Sequence, residues 1–266
     1  MHSPVISHWA GVAKPVIGML HLLPLPGSPR FGGSVEAIRG AMLRDAESLV
    51  AGGVHGLMLE NFGDTPFFPH RVPDYVVAQM TALACEVRQR FDLPLGINVL
   101  RNDGCAALAV AHAAGALFIR VNVLCGARVA DQGLIQGIAH DLLRLRSLLR
   151  AEVKIFADVD VKHSAPLAAR PLADEVADTL HRGLADALII SGAATGQPTD
   201  PAQARAVKQA AGAAPVFIGS GVTADTIGQY LPCCDGFIIG SAFKRGGRAE
   251  EPVEAERVRE IISQIR

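Results

Sequence analysis

An excess of charge of either sign is missing from this chain. Its 266 residues carry 25 Lys and Arg against 26 Asp and Glu, a formal net charge of −1. That balance leaves no electrostatic footprint for DNA or RNA. The basic residues Arg144, Arg146 and Arg150 fall on one expected helix and read as its solvated face. Cysteine is scarce and unpatterned. There are five, an odd number, with Cys233 and Cys234 adjacent and no metal-like spacing. They point to a reducing cytosol rather than to a disulfide framework. Residues 1–11 lack a basic segment followed by an apolar core, so no secretory signal is expected. The longest apolar stretch, 105–126, is broken by His112, Gly115, Arg120 and Asn122. A buried helix followed by a strand accounts for it better than a membrane span. No Gly/Ser linker, charge block or low-complexity tract divides the chain. A single cytoplasmic domain is therefore expected, with an N-terminal extension over 1–14 and the fold proper over 15–266.

What is present is order. Half of the residues are apolar. Short apolar runs at 15–21, 54–60, 95–100, 116–123, 153–159, 186–191, 215–220 and 235–241 alternate with amphipathic stretches. The runs are rich in Val, Ile, Leu and Phe without strict alternation, the mark of strands covered on both faces. Eight strand–helix units in one chain of this length predict an α/β fold, a closed (β/α)8 TIM barrel. Helix punctuation agrees. Ser34 is placed to cap a helix that Gly52 and Gly53 end, Pro73 to open the next, and Gly115 to close the one after Asn102. Thr199 or Asp200 with Pro201 starts another that Gly212 stops, and Thr223 is expected to cap a short helix after the seventh strand. The last helix is expected over 253–265. The first strand–helix connection, 22–33, is long and stiffened by proline, as a lid, a rigid plug or a subunit contact would be.

In such a barrel the chemistry sits at the C-terminal ends of the strands. Reading each strand back from that end gives His21, Glu60, Asn98, Arg120 or Asn122, Asp158 and Ser191. Upstream residues of the same parity are mostly apolar or small. Buried polar groups are costly unless paired or used, and several converging from separate strands point to a site. Taken singly, His21 fits a core histidine, Glu60 fits a structural partner of Arg120, and Asp103 fits a helix cap. The segment 157–163 adds Asp158, Asp160 and Lys162 at one parity, followed by His163. Carboxylate beside ammonium suits proton transfer. Lys162 is equally suited to binding a phosphate, stabilising negative charge or forming an imine.

Glycines end the seventh and eighth strands: Gly219, Ser220 and Gly221 in one loop, Gly240 and Ser241 in the other. These loops commonly grip a phosphate in barrels, because glycine lets main-chain N–H groups approach the oxygens. The sixth loop, with Ser191 and Thr195, adds hydroxyl donors next door. The expected ligand is a small phosphorylated metabolite, with Glu60, Asp158, Lys162 and His21 as catalytic groups. Asn98, Arg120, Asn122, Asp103, His163, Ser191 and Thr195 are expected to bind the rest of it. His21, Glu60, Asp158 and His163 are N/O donors without compact metal spacing. No metal ligand is assigned, and a divalent cation such as Mg²⁺ beside the phosphate stays open.

The runs 16–33, 52–67, 95–103, 118–137, 155–167, 189–200 and 217–227 together resemble the BtpA family, which includes the SgcQ-like proteins. Asp160 departs from the pattern, whose position before Val-Lys-His is more often not acidic. The resemblance implies a phosphate-binding barrel. It also implies one of two settings: photosystem I biogenesis or stability as an extrinsic factor on the thylakoid surface, or sugar-phosphate metabolism. The sequence-level expectation is an enzyme (lyase, isomerase or glycosidic hydrolase) acting on a sugar phosphate or nucleotide-like ester. The alternatives are a non-catalytic photosystem I factor and a metal-dependent hydrolase. A homo-oligomer is the default expectation.

Overall fold

Strands with no polar face need cover on both sides, and this chain supplies it by closing its sheet on itself. The computed structural model describes residues 4–192 and 197–265. In chain order the elements are β1 (Val16–His21), α1 (Val35–Gly52), β2 (Gly56–Glu60), α2 (Asp74–Arg90), β3 (Leu95–Asn98), α3 (Gly104–Ala114) and β4 (Phe118–Val121). Then come β5 (Ala127–Ala130), β6 (Gly133–Gln136), α4 (Ala139–Leu148), β7 (Lys154–Val159), β8 (Ser164–Pro166) and α5 (Leu172–Ala177). The chain finishes with β9 (Ala187–Ile190), α6 (Pro201–Ala211), β10 (Val216–Ile218), β11 (Gly236–Ile239) and α7 (Ala255–Ser263). Eight parallel strands form the closed barrel, in the order β1-β11-β10-β9-β7-β4-β3-β2.

Alternation along the strands sorts the core into two parts. Ile17, Met19, Met58, Phe118, Phe156, Ala187, Ile189, Phe217 and Ile238 pack inside the barrel. Residues of the other parity, such as Leu57, Leu59, Ile119, Ile155 and Leu188, pack against the helices. The lower end is aromatic. The Phe118 and Phe156 rings stack with centroids 4.8 Å apart. Trp9, from a short turn at Ser7–Trp9, meets Phe118 edge-on at 5.9 Å. Its Nε1 donates to the His55 carbonyl at 2.7 Å, so the one polar atom of this large ring is paired. Gly96 leaves room for the Phe118 ring, which a Cβ there would strike.

Local signals account for the helix ends. Ser34 Oγ accepts from Ala37 N at 3.1 Å, and Gly53 ends α1 in the left-handed region at φ 92°. Asp200 accepts from Ala202 N ahead of Pro201, and Gly115 closes α3 at φ 68°. Two expectations need correction. No α-helix lies between β10 and β11: the chain makes 3-10 turns at Ile227–Gln229 and Leu231–Cys233 instead. Thr223 serves a turn, its N–H donating to Thr226 Oγ1 at 2.9 Å. The crossover after β4 is also not simply helical. It first forms the β5–β6 hairpin, to which β8 adds on the other edge of β5. The connection 22–33 is anchored at its start: Leu22 and Leu25 are buried, and Leu25 N donates to Asp64 Oδ1 at 2.8 Å.

Candidate active site at the barrel mouth

Strand register brings the polar strand ends together. His21 pairs with Glu60, Glu60 with Asn98, and Asn98 with Arg120, a continuous polar row across β1, β2, β3 and β4. One pleat further up stand Asn122 and Asp158. All are buried, His21 through its side chain. The row lies directly above the aromatic layer, because Arg120 and Phe118 are successive inward residues of one strand.

Part of this polarity is fully satisfied. Arg120 donates to Asp158 through Nε at 2.9 Å and Nη2 at 2.8 Å, a bidentate pair. Asn122 Nδ2 adds a third bond to the same carboxylate at 2.8 Å. Arg120 Nη2 also reaches Ser191 Oγ at 3.4 Å. Asn98 Nδ2 donates to the Arg120 carbonyl at 3.2 Å, while its Oδ1 finds no partner among the described residues.

The remaining groups form no closed set, although His21 Nδ1 lies 3.4 Å from the Ala249 carbonyl. His21 Nε2 lies 3.7 Å from Glu60 Oε1. This is no ion pair, because burial, helped by Lys244 and Lys162, pushes the His21 pKa down to about 3 and leaves the ring neutral. The ring stacks on Phe62, with centroids 4.5 Å apart. Burial also raises the Glu60 pKa above the usual carboxylate range, against the pull of Lys162 and Arg120. Lys162 sits on the turn after β7. Burial first, then the neighbouring Arg120 charge, lowers its pKa to about 8.

Two adjoining cavities open here. A small polar one is walled by Gly219, Ser220, Gly221 and Val222 on one side and Gly240, Ser241 and Ala242 on the other. A larger one of about 470 Å³ is lined by Phe62, Phe67, Leu100, Arg101, Asp131 and His163, among others. Glu60, Arg120 and Lys162 line both. In the small cavity the Ser220 hydroxyl is taken: it accepts from Gly192 N at 2.8 Å and donates to the Gln197 carbonyl at 3.3 Å. Gly219 N is taken too, donating to the Ile190 carbonyl. Among the described residues no main-chain carbonyl accepts from the N–H of Gly221, Val222, Ser241 or Ala242. Gly221, at φ 67°, needs its glycine, since a Cβ would also run into the Gln197 main chain.

The other expected residues fall as follows. Asp103 lies outside both cavities. It caps α3, accepting from Ala106 N at 2.9 Å, and its other oxygen accepts from Val72 N at 2.8 Å. Thr195 lies outside the described residues. Asp160 is held away from the mouth by Arg128 Nη2 and Gln203 Nε2, each at 2.6 Å. Sequence reasoning missed Phe62, Phe67, Asp131, Gln132 and Arg101. The Asp131-Gln132-Gly133 turn between two short runs was a readable hairpin signal, with Gly133 at φ 95°. Arg101 donates to the Lys162 carbonyl at 2.6 Å and so fixes the turn that carries the lysine. Among the described residues no group of three or more His, Cys, Asp or Glu side chains is arranged to hold a metal ion. Nor is any helix long and apolar enough to cross a membrane.

Comparison with known proteins extends these findings. The model of the BtpA family matches residues 12–266. The photosystem I biogenesis protein BtpA of Synechocystis is 48% identical over 249 residues, covering 94% of this chain and 87% of that protein. An uncharacterised protein of Thermococcus kodakarensis is 46% identical, covering 94% of each. Among solved structures, N-(5'-phosphoribosyl)anthranilate isomerase of Pyrococcus furiosus superposes with TM-score 0.57 at 12% identity, covering 95% of this chain and 98% of that one. KGPDC of Streptococcus mutans gives TM-score 0.56 at 15% identity, with 95% and 97% covered. At such identities the likeness establishes the TIM-barrel fold alone.

Proposed function

The chain belongs to the BtpA family, and we propose that it is an enzyme acting on a small phosphorylated metabolite at the C-terminal mouth of its barrel. One observation carries this reading. The loops after β10 and β11 hold four main-chain N–H groups that serve no carbonyl among the described residues, around a small polar cavity that shares Glu60, Arg120 and Lys162 with a roomier one. Convergent N–H groups on these two loops are how barrels bind phosphate. The phosphate occupies the small cavity, facing the N–H groups of Gly221, Val222, Ser241 and Ala242. The organic part extends into the 470 Å³ cavity between Phe62, Phe67 and Asn122. Names among the solved neighbours fit this reading, one of them being a phosphoribosyl isomerase.

The charged groups then divide by state. Arg120, fixed by Asp158 and Asn122, is a preorganised cation beside the phosphate that need not reorient during reaction. Asp158 positions it, since its oxygens already accept three bonds. Glu60, pushed toward its protonated form, is the group placed to give a proton to substrate, while His21, held neutral, serves as a hydrogen-bond partner for that substrate. A thermal-shift screen of sugar phosphates and nucleotides against their dephosphorylated forms, with turnover assays on the hits, tests the reading. Phosphorylated compounds should stabilise the wild type and not Ser241→Asp, which places a like charge in the cradle. Equal stabilisation of both proteins contradicts it.

A second reading has its own support in the 48% identity to a photosystem I biogenesis protein. Here the chain would be a non-catalytic assembly factor. Complementation of a phototroph lacking that relative separates the two. Full rescue by a Glu60→Gln, Lys162→Met double variant favours assembly, and rescue by the wild type alone favours catalysis.

A further inference from the structure

We propose that Lys162 is a covalent site, its amine condensing with the carbonyl carbon of a phosphorylated aldehyde or ketone whose phosphate lies in the cradle after β10 and β11. This rests on the phosphate reading above and narrows its substrate class.

The contrast among cations in and around the core carries the argument. Arg120 has Asp158, Arg128 has Asp160 and Glu175, and Lys244 has Asp45 at 2.9 Å. Arg101 and Lys162 both lack a carboxylate in ion-pair contact among the described residues, but the Arg101 guanidinium is engaged by the Lys162 carbonyl, whereas the Lys162 side chain lines both cavities. Its main chain, by comparison, is tightly held. Arg101 grips its carbonyl, and two residues earlier Asp160 is clamped by Arg128, Gln203 and, through its N–H, Glu175 Oε1 at 2.9 Å. A fixed turn thus presents an amine with no carboxylate partner among the described residues to the junction of a phosphate cradle and an organic cavity. Glu60 and Asp158 attract its charge without ion-pair contact. Burial and the neighbouring guanidinium groups of Arg120 and Arg101 favour its neutral, nucleophilic form, with a pKa of about 8.

The step balances without a co-reactant. The Nζ lone pair attacks the carbonyl carbon, and the C=O pair moves to oxygen, which takes up a proton lost from the nitrogen to give a neutral carbinolamine. The freed nitrogen lone pair then forms a double bond to carbon and expels that oxygen as water. Glu60, which lines the same two cavities, supplies the proton to the departing oxygen when protonated. The products are a protonated imine and one water. Cation and phosphate recognition alone would not require a lysine here, since an arginine would serve.

Trapping tests it. The full chain is incubated with ribose 5-phosphate or dihydroxyacetone phosphate and reduced with borohydride, and its peptides are weighed. Melting temperatures with the same probes are measured alongside. The expected result is an adduct on Lys162 with the mass of the probe less one oxygen, forming faster than on Lys154. Labelling should rise with pH through about 8. Inorganic phosphate and the Ser241→Asp substitution should suppress it, Lys162→Arg should abolish it, and ribose or dihydroxyacetone should give little. Probes that raise the melting temperature without modifying Lys162 overturn the covalent step and leave the phosphate site standing. Labelling of Lys162 no faster than of Lys154 also overturns it. Neither stabilisation nor labelling overturns both readings.

Discussion

Two polar clusters share the mouth of this barrel and differ in one respect. In the first, Arg120, Asp158 and Asn122 satisfy one another with bonds of 2.8 to 2.9 Å. In the second, Glu60, His21 and Lys162 are just as close to the core yet form no such closed set, and their proton affinities are displaced from the ordinary values. Burial is common to both, so burial alone does not mark a reacting group. What separates scaffold from chemistry is whether the desolvated group has been given a partner of opposite charge in direct contact.

Breaking the closed cluster should cost most. Arg120→Met leaves the Asp158 carboxylate buried and uncompensated, so denaturant unfolding should report a loss of about 3–5 kcal/mol. Trp9→Ala, at the opposite end, should cost a similar 3–5 kcal/mol or so by opening a cavity under the aromatic layer. Phosphate-dependent stabilisation should survive that change, because the cradle lies at the other end of the barrel. Asp103→Ala removes a helix cap and strands the Val72 N–H, for about 1–3 kcal/mol.

The open cluster should respond through pH instead. The His21 pKa is held at about 3 against 6.5 unfolded. Between those values the unfolded chain binds the extra proton, so stability falls as pH drops through this window. His21→Gln should flatten that fall, while differing little from wild type near neutrality. Glu60 has the opposite sign. Its raised pKa favours the protonated folded state, so its contribution fades as pH rises from 4.5 through the folded value. Glu60→Gln should therefore be no less stable than wild type at high pH, yet lose turnover. Urea titrations across pH check both. A Glu60→Gln protein as destabilised as Arg120→Met would erase the distinction between the clusters.

Much of this was legible in residue order. The expected strand runs 15–21, 54–60 and 95–100 contain β1, β2 and β3, and the inward parity assigned to Ile17, Met58 and Phe118 is the parity of the interior core. Strand ends were legible because polarity on a two-sided buried strand has no cheap explanation. Partnership was not. Asp158 and Glu60 look alike as carboxylates on neighbouring inward rows, and only tertiary contact shows that one is saturated by Arg120 and the other is not. Phe62, Phe67 and Asp131 come from loops, where no periodicity reports direction. The 3-10 turns after β10 defeated the expectation of a helix because Thr223 and Thr226 bond each other in a turn, Thr223 N–H donating to Thr226 Oγ1, and residues of these types favour turns as well as caps.

The most direct test of the central claim is a crystal structure of the protein grown with inorganic phosphate and without sulfate. A phosphate whose oxygens lie within hydrogen-bond reach of the main-chain N–H groups of Gly221, Val222, Ser241 and Ala242, beside Lys162, is the predicted result. An empty cradle at saturating phosphate, with those N–H groups bonded to the protein's own carbonyls, would contradict it.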